Sequence, residues 1–357
     1  LAAVPGTLRE GFARAGPWLG GLAVGVGAGY VCSRLRTPIP WMLGPLTALA
    51  VLRVLGLPIA APPGARQVGQ WVIGTSLGLY FSPQVVRDVA GWWPLLVGGA
   101  LFAIAGGYGG GVLLARLAGI DRTTAVFASV PGGATEMAVL GERYGARVDR
   151  VAAAQSLRIL IVVIVVPFAY ALMGAHGSDR YVPGMTTFEP EGFALLMLAT
   201  FAGAGLAQWL HVPNAFILGA LAVAIPLTAA DVQLSSVPSL ASNAGQCLLG
   251  CTLGSRFEPD FVRGAPRFIG AVATTVLAAI GMAALFGSVL AWASGLPALT
   301  LVLGLAPGGI AEMCVTAKAL QLGVPLVTAF HVTRVVVLLL LTAPLFGLVR
   351  RLRRHRE

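Results

Sequence analysis

The sequence predicts an all-α protein that crosses a membrane many times and is built from two copies of one repeat. Three observations predict it. Hydrophobic residues fill 57% of the 357 positions and charged residues only 11%, less than half the ~25% charged residues of a soluble domain. Apolar runs recur from Leu19 to Leu348, and about 20 such residues cross the hydrocarbon layer at 1.5 Å rise per residue. Finally, a nine-residue signature occurs twice, 176 residues apart. The first two observations exclude a soluble enzyme and a soluble DNA-binding protein.

The apolar segments fall at 17–34, 39–57, 66–80, 91–116, 123–142 and 149–173. After a polar linker at 174–190 they resume at 192–210, 213–230, 240–255, 268–292, 297–317 and 322–348. Segments 66–80 and 240–255 are short and rich in glycine. Segments 123–142 and 297–317 are interrupted by Pro-Gly-Gly, where Pro removes a backbone donor and Gly weakens the helix. The other eight read as ordinary spans. The predicted organisation is therefore a first membrane repeat at 15–173, the linker at 174–190, a second membrane repeat at 191–350 and a basic cytoplasmic tail at 351–357.

The duplication rests on particular residues. Ser129-Val130-Pro131-Gly132-Gly133-Ala134-Thr135-Glu136-Met137 matches Leu305-Ala306-Pro307-Gly308-Gly309-Ile310-Ala311-Glu312-Met313 at an offset of 176. The same offset superposes Gly69-Gln70 on Gly245-Gln246, Gly74 on Gly250, Gly78 on Gly254, Phe81 on Phe257, Pro83 on Pro259 and Val86-Arg87 on Val262-Arg263. It also places Arg158 on Arg334, and an offset of 175 pairs Pro38 with Pro213 and Gly44 with Gly219. Chance similarity between apolar segments does not retain Pro, Gly, Glu and Arg at one spacing.

Charge decides the relative orientation of the copies. The net charge is +10, and cytoplasmic loops carry the excess of Lys and Arg. If all twelve segments crossed, the copies would be parallel, and either the chain termini or the Arg143, Arg147, Arg150 cluster would violate that bias. If one segment per half enters and leaves on the same face, the copies are inverted. Arg9, Arg14, Arg66, Arg116, Arg122, Arg143, Arg147, Arg150, Arg256, Arg263, Arg267 and the closing arginines Arg350, Arg351, Arg353, Arg354 and Arg356 then share the cytoplasm. Outside lie Arg34, Arg36, Arg87 and Arg180, beside the acidic Asp179, Glu189 and Glu191. The Pro-Gly-Gly segments are the natural broken or re-entrant helices, with the short Gly-rich segments as rivals. The closing arginines read as an anchor against anionic lipid. The chain begins at Leu1 with no charged region leading to a cleavage site, so nothing in it predicts secretion.

Few groups offer chemistry. Glu136 and Glu312 stand three residues after the Gly pair in each half, and a carboxylate within an apolar segment needs protein or water around it. Each could carry a proton, bind a cation or cap the restarting helix. Pro131, Gly132, Gly133 and Pro307, Gly308, Gly309 would expose backbone amides and carbonyls, tolerable only against a cavity or protein. Free amides at a helix start attract carboxylate or phosphate groups. Arg158 and Arg334 lie in long apolar segments and keep their charge. They could neutralise the glutamates as ion pairs, hold an anionic solute or serve gating. Gln155 and His331 occupy matched positions one turn earlier, on the same face. Gln70 and Gln246 either accompany close helix packing through small residues or point into a pathway. Asn214 could cap the helix that follows Pro213. Cys32, Cys247, Cys251 and Cys314 form no CxxC and read as structural. No HExxH, Walker A, kinase set or nucleophile elbow occurs, so no metal, no catalytic residue and no enzyme is expected.

The block Val130–Met137 with its copy Ala306–Met313 resembles the AbrB family of membrane proteins, whose members also carry ammonia monooxygenase and transcriptional regulator labels. The resemblance spans about 15–350. It implies an architecture similar to the sodium–bile-acid symporter and cation–proton antiporter folds, with inverted repeats and crossed broken helices. The function expected is a secondary transporter in a bacterial inner membrane with both termini cytoplasmic. It would move a small solute, an organic anion by preference, coupled to H⁺ or Na⁺ and without other cofactors. The alternatives are a membrane-embedded ligand sensor that regulates gene expression, or a channel. The expected partners are the solute and the bilayer, with a homodimer possible and no nucleic acid.

Overall fold

The computed structural model describes residues 6–175, 177, 181, 183, 185–257 and 266–354. Asp179, Arg180, Pro259, Val262, Arg263 and Arg356 lie outside them, as do the side chains of Arg9, Arg14, Thr135, Arg350, Arg351, Arg353 and Arg354. Every element among the described residues is helical. In chain order they are α1 (Gly6–Arg34), α2 (Pro40–Val54), α3 (Ala65–Gly78), α4 (Pro83–Gly91), α5 (Trp93–Ala118), α6 (Arg122–Ser129), α7 (Ala134–Arg143) and α8 (Val148–Leu172). Then come α9 (Pro190–Trp209), α10 (Ala215–Ala229), α11 (Ser239–Gly254), α12 (Pro266–Ser294), α13 (Ala298–Leu305), α14 (Ile310–Ala319) and α15 (Val324–Arg354).

The helices follow the apolar segments closely, and the chain is a polytopic membrane protein. Four helices are long and apolar enough to cross a bilayer: α5, α8, α9 and α12. α2, α10 and the described part of α15 are shorter apolar helices. This is fewer than the eight ordinary spans expected: α2 and α10 have only 15 residues each, and α1 and the described part of α15 are not among the four. Helix α4 was not expected. Its sequence Pro-Gln-Val-Val-Arg-Asp-Val-Ala-Gly alternates polar and apolar groups on a helical period, too short and too charged to register as a span.

The helices gather into two compact units that do not follow the halves of the chain. One contains α1–α3, the end of α8 from Val163, and α9–α11. The other contains α4–α7, the first part of α8 to Val162, α12 from Gly270, and α13–α15. In the first unit, helix pairs recur between the halves: α1 packs on α2 as α9 packs on α10, and α11 packs on α2 as α3 packs on α10. Glycine makes these contacts possible. A Cβ on Gly44 would stand 2.5 Å from Ala28 O, and one on Gly219 would stand 2.5 Å from Gly203 O. A Cβ on Gly74 would stand 2.8 Å from Ile217 O, and one on Gly254 would stand 2.6 Å from Leu46 O. Hydrocarbon gives helices no hydrophobic reason to associate, so such close backbone approach supplies the contact. Helices α3 and α11 meet at Gly69 and Gly245, where a Cβ on Gly69 would lie 2.8 Å from Gly245 O. Cys247 and Cys251 pack with Leu49 in this unit's apolar core, in keeping with their structural reading.

Ile39 and Asn214, which precede α2 and α10, both adopt left-handed backbone, with φ 40 and φ 50. For β-branched Ile39 that conformation is strained. In the second unit, α6 and α7 enclose a core of Val126, Phe127, Val130, Met137 and Ala138. The corresponding core near α13 brings Leu301 and Leu305 against Leu326, Ala329 and Phe330 of α15.

Candidate functional site

The helix that starts at Arg122 stops at Ser129, and the next begins at Ala134; likewise α13 stops at Leu305 and α14 begins at Ile310. The intervening residues are extended: Val130 has φ −60, ψ 128 and Gly133 φ −65, ψ 138, while Ala306 has φ −55, ψ 142 and Gly309 φ −83, ψ 162. None of these needs glycine for its backbone angles. The glycines are there for space. A Cβ on Gly133 would collide with Glu136 Oε2, and one on Gly309 with Glu312 Oε2. A Cβ on Gly132 would fall 2.7 Å from Met137 Cγ, and one on Gly308 would fall 2.5 Å from Met313 Cγ. The signature thus has a steric explanation: the second glycine admits the carboxylate, folded back over the residue that precedes the helix, and the first admits the thioether.

Each glutamate is the third residue of its helix, so its negative charge sits at the positive end of α7 or α14. Glu312 is 9% exposed, and Glu136 Oε2 is buried without a hydrogen-bond partner.

The other side of each interruption is closed by an arginine. Arg158 of α8 donates from Nη1 to Val130 O (3.2 Å) and from Nη2 to Gly132 O (3.1 Å). Arg334 of α15 donates from Nη1 to Ala306 O (2.9 Å) and from Nη2 to Gly308 O. One turn earlier, Gln155 donates from Nε2 to Phe127 O (2.8 Å) and Val130 O (3.0 Å), and His331 donates from Nε2 to Leu303 O (3.3 Å). Apart from the Gln155 bond to Val130 O, each pair of partners in one half has its counterpart in the other at the offset of 176. The carbonyls of Val130, Gly132, Ala306 and Gly308 lie in the interruptions, outside the helices, and a planar guanidinium spans two of them at once. The positive charge also complements the negative end of the helix dipole.

The arrangement discriminates among the roles open to the arginines. Among the described residues no salt bridge joins Arg158 or Arg334 to Glu136 or Glu312, so the guanidinium groups are bound to backbone rather than locked in direct ion pairs. Several buried atoms keep no partner, namely Ser129 Oγ, Glu136 Oε2, Gln155 Oε1, Arg158 Nε, His331 Nδ1 and Arg334 Nε. Unsatisfied groups on this scale are costly unless water or a ligand meets them.

The structure thus brings Pro131, Gly132, Gly133, Glu136, Gln155, Arg158, Pro307, Gly308, Gly309, Glu312, His331 and Arg334 into one unit. Gln70 and Gln246 belong to the other. Gln70 donates from Nε2 to Asn214 Oδ1 (3.3 Å), which also accepts from Arg66 Nη2 (3.0 Å). Asn214 therefore does not cap α10 with its side chain. Ser129 also belongs to this region, and its sequence signal is the polar-for-apolar mismatch with Leu305 at the offset of 176. Thr275 of α12 joins Ser129, Pro131, Arg158 and Pro307 around a cavity of about 50 Å³, and no motif announced it. Among the described residues no group of three or more His, Cys, Asp or Glu could hold a metal.

A family model described as "Transition state regulatory protein AbrB" matches residues 41–350. The chain is 28% identical over 365 residues to "Uncharacterized protein YhjN" of Bacillus subtilis (strain 168), covering 93% of this chain and 92% of that one. It is 22% identical over 309 residues to "Putative regulator AbrB" of Escherichia coli (strain K12), covering 86% and 88%.

These findings correct two expectations. The secondary transporter, with its H⁺- or Na⁺-coupled organic anion, gives way because the matched family and the named relative are described as regulatory. There is also a physical reason: broken helices specify a place to bind, not translocation. The exclusion of nucleic acid as a partner is withdrawn on the same descriptions, since composition argued only against a soluble DNA-binding protein. The regulatory descriptions of the matched family and the named relative are consistent with a non-enzymatic protein.

Proposed function

We propose that this chain, which belongs to the AbrB family, is a membrane-embedded ligand sensor that regulates gene expression. The observation that carries the reading is the duplicated interruption, held together by side chains from other helices and surrounded by buried polar atoms without partners. Each interruption depends on a few hydrogen bonds from α8 or α15, so a ligand that competes for them or completes them acts on those helices. A ligand shifts such an equilibrium by its difference in affinity for the two states. Pro131, Gly132, Gly133, Glu136, Gln155, Arg158, Pro307, Gly308, Gly309, Glu312, His331 and Arg334 form the sensing region on this reading. Gln70 and Gln246 serve as a second polar pair beside the α3–α11 crossing.

The finer architecture belongs to the same proposal. Two copies, 15–173 and 191–350, are joined by the linker 174–190 and stand inverted in the membrane, with the tail 351–357 and both termini cytoplasmic. The charge distribution and the matched hydrogen bonds support it. It places the arginine cluster of positions 350–356 where anionic lipid or nucleic acid is available to it.

Transcript profiles test the function. Cells lacking the protein are compared with cells complemented by wild type or by Arg334→Ala at matched membrane abundance. A defined set of transcripts restored by wild type and not by the variant is expected. Identical profiles in all strains, with saturable solute flux in proteoliposomes, would overturn the reading.

A further inference from the structure

We propose that the cavity beside the first interruption binds a small monovalent anion (a halide, nitrate or a one- or two-carbon carboxylate) and that the second repeat has lost the equivalent site. The inference rests on the sensor reading in that it names the class of ligand sensed.

Size comes first. A cavity of about 50 Å³ has room for a few water molecules, far less than the ~300–1,000 Å³ of sites for drug-sized ligands. Its occupant has only a few heavy atoms. Charge comes second. Arg158 is the charged side chain of the lining. It is 4% exposed, and while its two Nη atoms are tied to Val130 and Gly132, its Nε has no partner. Ser129, also in the lining, has a buried hydroxyl without a partner. A guanidinium N–H and a hydroxyl on one small cavity are the donors an anion uses, and charge-assisted bonds of this kind are the strong ones.

The surroundings favour negative charge as well. Arg158 meets carbonyls and no carboxylate partner within ion-pair distance among the described residues, so an anion beside it would supply the counter-charge. The remaining lining is mostly apolar, and Gly107 brings α5 so close that a Cβ there would sit 2.8 Å from Val130 Cα. Such a wall removes water, so a divalent anion would meet a desolvation cost that one arginine cannot offset. This selects for single charge.

The second repeat lacks the donor. The offset of 176 puts Leu305 where Ser129 stands. Leu305 lines the same cavity from the other side as an apolar wall, is 4% exposed and packs with Leu96, Leu301 and Phe330, so it offers no donor. Matched arginines therefore carry different duties: both close an interruption, but Arg158 alone also lines the cavity.

The test titrates detergent-purified full-length protein, in a gluconate background, with chloride, bromide, nitrate, formate or acetate. Expected is a saturable rise of several degrees in the unfolding midpoint. Ser129→Leu, which installs the second repeat's residue, should weaken the response at least tenfold, while Ser288→Ala, at an exposed hydroxyl, should leave it unchanged. Anomalous scattering from bromide locates the ion in wild-type crystals even if Ser129→Leu does not fold. Salt effects that do not saturate and ignore the variant, with no bromide at Arg158, would overturn the inference and leave water as the occupant. Transcript control without anion binding would sink only this inference; anion binding without transcript control would sink only the regulatory reading.

Discussion

Substituting Lys at Arg334 keeps the cation and removes the planar fork. In the native protein Nη1 reaches Ala306 O at 2.9 Å and Nη2 reaches Gly308 O, and Arg334 is 5% exposed and Ala306 2% exposed. An ammonium group has three N–H donors but neither the reach nor the fixed spacing of the fork, so Lys is expected to keep only one of the two carbonyls. The other is left buried and unpaired, at a cost of about 1–3 kcal/mol. Since 1 kcal/mol moves the midpoint by about 2–4 °C in domains of 150–250 residues, Arg334→Lys should unfold roughly 2–12 °C below wild type. Arg334→Ala orphans both carbonyls but also relieves the repulsion with Arg158, so its loss should be less than twice that of Lys. Thermal unfolding in detergent, followed by tryptophan fluorescence, measures both. Arg122→Lys, at an exposed arginine in the first turn of α6, provides the reference. If Arg334→Lys unfolds within a degree of wild type, the two carbonyls do not depend on the guanidinium and the reasoning fails.

Two further outcomes follow from the glycines. Gly309→Ala should push Glu312 away from the start of α14, losing a charge–dipole contribution of about 0.3–1 kcal/mol. Glu312→Gln should lose the same contribution, so the double variant should lose no more than the larger single effect; strict additivity in unfolding free energies would show the two residues to be independent. At the α3–α11 crossing, Gly69→Ala places a methyl 2.8 Å from Gly245 O, whereas in Gly245→Ala the nearest atom is Val72 Cβ at 3.3 Å. Overpacking against backbone should cost Gly69→Ala about 1–3 kcal/mol, with Gly245→Ala losing clearly less. Equal midpoints for the two would refute the asymmetry.

Much of the fold was legible because hydrocarbon imposes length and composition directly. The segment 149–173 became Val148–Leu172, and 240–255 became Ser239–Gly254. The Pro-Gly-Gly interruptions were legible too, since they break an apolar period with residues that disfavour helix. What sequence could not supply was the partner of a charge. Arg158 and Glu136 in one repeat suggested an ion pair as readily as a ligand site, and only the position of α8 against the end of α6 shows that the arginine serves carbonyls. Nor could spacing reveal that Gly133 exists for the Glu136 carboxylate and Gly132 for Met137, because both effects depend on the path of the next helical turn. The grouping of helices was hidden for a related reason. The offset of 176 relates the two halves of the sequence, whereas α3 and α11 lie on opposite sides of the linker and pack together. Function was least legible, since an interior that binds and an interior that conveys use the same residues.

The arginine that closes each interruption also constrains how the protein is made. The carbonyls of Val130 and Gly132 wait for a side chain encoded 26 to 28 residues later, and those of Ala306 and Gly308 wait equally long. Val130 O also accepts from Gly132 N (2.9 Å), but the carbonyls of Gly132, Ala306 and Gly308 gain their side-chain donor only once α8 or α15 has been made. A carbonyl without a donor is costly in hydrocarbon, so the stretch from α6 to α8 is expected to settle as one unit, and that from α13 to α15 as another.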